Sequence, residues 1–156
     1  PKLNHKQAIH ILLADQEEIS LIEVLPGGEM NVDSTKRGSL FHTNHFVKEN
    51  GAQYNTKLAK SSLTRYERIG KLLHNTPKPL TLDHFIAFSK DQNAGPNDSI
   101  FRTGKTYLSS RTISVMMARI PKDKEGPVEL YIRYQANPDL EDDPWIEKRE
   151  LFEFKQ

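Results

Sequence analysis

Two stretches of helical period stand between β-rich segments at either end of the chain, and that order limits the fold more than any other feature. The first begins at Ser61 or Ser62, whose hydroxyls suit a cap, and ends at Pro77-Lys78-Pro79. Leu63, Tyr66, Ile69, Leu72 and Leu73 share one face of it. The second spans residues 82–91, with Thr81 as its cap, Leu80 and Phe85 as a staple, and Leu82, Phe85 and Ile86 as its buried stripe. Ahead of the helices, residues 7–14 and 19–25 read as strands of a hairpin, closed at Pro26-Gly27-Gly28. Short strands are expected at 29–32 and 39–43, then a polar loop over 47–60. Behind the helices, residues 107–120 and 128–134 alternate as a second hairpin, followed by a loop over 136–146 and a short strand at 150–154. Strands, helices and strands in that order predict an α+β fold, helices packed on antiparallel sheet. No linker interrupts residues 1–156, so a single domain is expected.

Composition narrows the function classes. Lys and Arg are scattered among Asp and Glu for a net charge of +1, which argues against a nucleic-acid partner, since phosphate binding wants a clustered basic face. No apolar run is long enough for a membrane span, so no membrane partner is expected. The start of the sequence carries no signal-peptide pattern, which points to the cytoplasm. The chain has no cysteine, so it forms neither a disulfide framework nor a thiolate metal site. Nothing in it calls for a cofactor.

The densest group of polar side chains is His42, Asn44 and His45, with Arg65 one helix later. An amide NH2, a forked guanidinium and two imidazoles would together receive a developing oxyanion or a carboxylate. His42 and His45 also raise a metal site, but a zinc site wants a third ligand, and only His74 and His84 offer one in space. No metal is therefore expected. His10, inside an apolar strand, reads as a satisfied core or edge histidine.

The runs GSLFHTNHF (38–46) and SSLTRYERIGKLL (61–73) resemble the penicillin acyltransferase-like branch of the cysteine-nucleophile Ntn hydrolases. This branch belongs to the linear amide C–N hydrolase and choloylglycine hydrolase superfamily; bile salt hydrolases and penicillin V acylases are more distant relatives. AIHILLADQEEISLIEV, DSIFRTGKTYLSSRTISVMMARI and PVELYIRYQANP extend the likeness over roughly residues 8–138. The resemblance implies part of a four-layer αββα fold. It also implies attack on a linear amide or thioester by an N-terminal cysteine whose own α-amine is the base. Asn44 would hold the tetrahedral oxyanion, and Arg65 would sit beside the nucleophile. His42, His45 and Tyr66 would contact substrate.

The family's cysteine lies upstream of the strand pair, and a second one, in a Ser-Ile-Cys-Arg segment, is Phe101 here. The chain thus reads as the C-terminal portion of such an acyltransferase or amidohydrolase. Its partners would be a small amide or acyl-thioester substrate, and either a second copy or the upstream chain covering an open sheet edge. The other reading is a non-catalytic α+β binding module that kept the scaffold.

Overall fold

The computed structural model describes residues 9–55, 58–106, 108–123, 126–138 and 143–153. The expected strand start at 7 and the expected end at Phe154 lie outside them, as does 107, but the strand expected over 107–120 begins only at Ser114. The fold is α+β, with two three-stranded antiparallel sheets and helices between them in sequence. Two compact units divide it, Pro1–Asn75 and Thr76–Gln156.

In the first unit, β1 (Ile9–Ala14), β2 (Ile19–Val24) and β3 (Met30–Thr35) form a meander. The carboxylate of Asp15 accepts from the amides of Glu17 and Glu18 and so makes the first turn. Gly27 and Gly28, with φ of 101° and 91°, make the second, where a side chain would strain the backbone. The third strand reaches Thr35, beyond the expected 29–32, because its register with β2 continues to Ile19.

Pairing sets which side chains share a face. His10 lies opposite Glu23, and Glu23 opposite Asn31, so these three stand together on one face with Leu21. That face is covered at Leu21, Glu23 and Leu25, which are buried, while Leu12, opposite Leu21, is exposed. The other face carries Ile11, Leu13, Ile22, Val24, Met30 and Val32 by the same alternation. It is open: Met30 is 61% and Val32 57% exposed.

Residues 39–43 do not form the expected strand. From Asn44 onward side chains occupy the places of a strand partner. Ser62 Oγ accepts from the Asn44 amide at 2.8 Å, Asn55 Oδ1 from Phe46 at 2.9 Å and a Glu23 oxygen from Val47 at 2.6 Å. The segment is thus an irregular loop tied to β2 and to the next helix. The expected loop at 47–60 contains a short helix, α1 (Glu49–Ala52). The expected amphipathic helix is α2 (Lys60–Asn75). It starts before both serines, so Ser62 is inside the helix and not its cap.

Gly51 of α1 is a close-approach position. A Cβ there would lie 2.7 Å from Phe46 Cβ and 3.2 Å from Leu25 Cδ2. Both neighbours are buried, so neither yields freely. Gly51→Ala is expected to destabilise this unit by about 1–3 kcal/mol through overpacking, despite alanine's better helix propensity. Urea unfolding followed by circular dichroism checks it.

The second unit holds α3 (Leu82–Ser89), α4 (Gly95–Asp98) and the sheet β4 (Ser114–Arg119), β5 (Val128–Gln135) and β6 (Trp145–Phe152). Thr81 caps α3 as expected, in a reciprocal box with His84: its backbone N–H donates to His84 Nδ1 at 3.1 Å. The last strand begins at Trp145, within the expected loop, because its register with β5 runs from Gln135–Trp145 to Val128–Phe152. Tyr131 and Arg133 are buried on the covered face, and the Arg133 guanidinium lies 4.1 Å from the Trp145 ring centroid.

Candidate functional site

The site is the loop from His42 to Lys48, held from below by β2 and from one side by α2. Glu23 is the lower anchor. One of its oxygens accepts from the Val47 amide and pairs with His42 Nε2 at 2.9 Å; the other accepts from Asn31 at 3.2 Å and the Lys48 amide at 3.4 Å. Its side chain is only 4% exposed. Burial alone would raise its pKa, but the Val47, His42, Asn31 and Lys48 hydrogen bonds outweigh burial and lower it. An ionised carboxylate with four donors gathers backbone and side chains that no strand ladder satisfies.

His42 lies above Glu23, with its side chain 6% exposed. Its Nδ1 is 2.6 Å from the Thr43 carbonyl, an acceptor only, so that nitrogen carries a proton. The His10 ring stacks against it at 3.8 Å between centroids. His10 is not the satisfied histidine that its strand position implied. Its Nε2 is buried without a hydrogen-bond partner among the described residues. Burial lowers its pKa to about 4, helped by His42, which keeps it neutral near neutral pH.

Ser62 is the lateral anchor, 1% exposed. Besides accepting from the Asn44 amide, its hydroxyl lies 2.9 Å from His45 Nδ1 and 3.0 Å from Thr43 Oγ1. The Thr43 hydroxyl donates to the Ser62 carbonyl at 2.9 Å. A serine so enclosed positions the loop and offers no exposed nucleophile. His45 is buried beside it, and Tyr66 meets the His45 ring edge-on at 5.3 Å.

Asn44 is the exposed apex of this loop. Its Oδ1 accepts from Arg65 Nη2 at 2.7 Å, and Arg65 Nε donates to the Ser61 carbonyl one turn back at 3.1 Å. The guanidinium thereby fixes which way the Asn44 amide is turned. The carbonyl oxygen is engaged, and the NH2 group has no hydrogen-bond partner among the described residues. The asparagine and arginine singled out in the sequence therefore touch. His42 and His45 lie beneath the loop and not at its exposed tip. Tyr66 lines a hollow of about 200 Å³ with Leu21, Glu23, Phe41 and Val47; neither Asn44 nor Arg65 lines it.

Three residues of this arrangement escaped the sequence reading. Glu23 is a charge within an apolar strand, a signal that buried polar partners exist. Ser62 passed for a cap. His10 joins the cluster through strand register, which sequence alone leaves open.

His45 carries a pH prediction. Burial lowers its pKa below the ordinary 6.5, with smaller contributions from His42 and Arg65. In the unfolded chain the ring regains its ordinary value. As pH falls below 6.5, the unfolded state takes up the proton first, so stability drops until the folded value is passed. His45→Asn is expected to flatten the slope of stability against pH in that window, measured by urea unfolding at a series of pH values. An unchanged slope contradicts a neutral, buried His45.

Among the described residues no helix is long and apolar enough to cross a membrane. No curated protein matches the chain. A family model does, over residues 2–127, a span that takes in the first sheet, the Asn44 loop, Arg65 and the start of the second unit. By this match the chain belongs to the acyl-coenzyme A:6-aminopenicillanic acid acyl-transferase family.

Proposed function

We propose that the chain is the C-terminal portion of an Ntn-type acyltransferase or amidohydrolase that acts on a linear amide or acyl thioester. Asn44 is the oxyanion donor and Arg65 orients it. The nucleophile is a cysteine on an upstream segment, because this chain has none. The single observation that carries this reading is the 2.7 Å contact from Arg65 Nη2 to Asn44 Oδ1, which leaves the exposed amide NH2 as the donor. A preorganised donor stabilises charge that appears only in the transition state, without reorganising when it does. Glu23, His42, His45 and Ser62 position the loop from inside, and Tyr66 is the substrate-side aromatic.

In this reading the two units are parts of one αββα domain. The open apolar face of β1, β2 and β3 is where upstream strands, or a second copy, complete the layers. Such a face is larger than isolated surface apolar residues require.

The test is to add the cysteine-bearing upstream segment to the chain and assay small amides and p-nitrophenyl thioesters. The expected result is co-elution of the two pieces and turnover that depends on the cysteine. A folded complex without turnover on any member of the panel contradicts the proposal. The absence of cysteine favours one alternative, a binding module built on the same scaffold. It predicts ligand binding by the chain alone and no turnover in the complex.

A further inference from the structure

In the proposed acyl transfer His42 and Glu23 only hold the loop, and His10 has no part. Yet each of the three offers one ligand atom, and these atoms all lie within 4.8 Å of one another in a half-buried to buried setting. Two further observations point to a ligand between them. The buried Nε2 of His10 has no hydrogen-bond partner among the described residues, a costly state for a lone pair or an N–H. His42 is tied at Nδ1 to the Thr43 carbonyl, which leaves Nε2, 2.9 Å from a Glu23 oxygen, as the nitrogen turned toward the other ligands.

We propose that His10, Glu23 and His42 bind a divalent transition cation of the zinc class, tying β1 and β2 to the loop that carries Asn44. Two imidazoles and a carboxylate suit zinc and its first-row neighbours and disfavour magnesium or calcium, which take oxygen ligands. An imidazole fixed by a backbone carbonyl at its far nitrogen is the usual support of a metal-bound histidine. Two donors at about 2 Å from one ion are at most about 4 Å apart, so binding draws the three inward by about an ångström. The ion takes the place of the proton that His42 Nε2 shares with Glu23, which passes to solvent, so affinity falls in acid. The sequence hid this site because two of its ligands come from paired strands and only one from the HTNH run.

The test titrates zinc into the metal-free chain, reading affinity by competition with a chromophoric chelator and stability by thermal unfolding. The expected result is one tight equivalent and a raised Tm. His10→Phe keeps a ring against His42 and Phe46, where His10 now packs, and removes no hydrogen bond made to a described residue. It is expected to leave the metal-free Tm unchanged or higher, to weaken zinc binding by about a hundredfold or more and to abolish the zinc-induced rise. The chain has six histidines, so exposed His74→Gln serves as the surface control and is expected to bind as before. Cobalt(II) gives a second reading on the unaltered chain: strong visible bands of a four- or five-coordinate ion support the site. Zinc binding that survives His10→Phe, no saturable binding at micromolar zinc, or only weak octahedral cobalt bands overturns it.

Discussion

Asn44→Ala in the complex that carries the cysteine is expected to lower kcat by about 10²–10³-fold, equivalent to about 3–4 kcal/mol of barrier. The size follows from the role proposed for the amide. Its oxygen is held by Arg65 at 2.7 Å, so its NH2 group is aimed before substrate arrives and loses no orientation in the transition state. In that role the donor would meet full negative charge only in the tetrahedral state, so KM should change little while kcat falls. Asn44 is exposed, and its side chain makes no hydrogen bond to a described residue other than the one from Arg65, so the fold should tolerate the loss. Asn44→Asp sharpens the experiment. The carboxylate keeps the Arg65 contact but replaces the NH2 donor with an acceptor, so activity should fall at least as far while thermal stability is kept. A mild loss in both variants, or a loss appearing in KM alone, assigns the oxyanion to other groups.

Glu23→Ala is expected to have the largest effect on stability, about 3–5 kcal/mol in the first unit. The substitution leaves His42 facing an emptied space and strips partners from the Val47 and Lys48 amides and from Asn31. Each buried donor left unpaired costs about 1–3 kcal/mol, and the cavity adds to that. Glu23→Gln keeps the shape but turns an NH2 group toward N–H donors on one side, so an intermediate loss is expected. Equilibrium urea unfolding measures both. A change below about 1 kcal/mol for the alanine variant would mean that water replaces the carboxylate and that the loop does not depend on it.

Legibility in the sequence followed the range of the interactions. Strands β1, β2 and β5 and helices α2 and α3 were visible because their apolar spacing matches the period of the element they form. Residues 39–43 read as a strand because Leu40 to His42 has strand-like composition, while the amides just after them, of Asn44, Phe46 and Val47, donate to side chains of Ser62, Asn55 and Glu23. The meeting of Asn44 with Arg65 was expected only through the family likeness; no spacing rule brings together residues 21 apart. Glu23 and His10 were missed for the same reason in reverse. Nothing in a strand's alternation shows that its covered face meets a polar loop instead of an apolar core.

The Arg65-oriented amide of Asn44 is expected to receive the oxyanion. The most direct measurement is a crystal structure of the cysteine-bearing complex trapped by an acyl aldehyde, whose hemithioacetal oxygen stands where the oxyanion forms. Asn44 Nδ2 is expected about 3 Å from that oxygen, with Oδ1 still on Arg65. An adduct oxygen held by other donors, with Asn44 turned away from it, contradicts the oxyanion role.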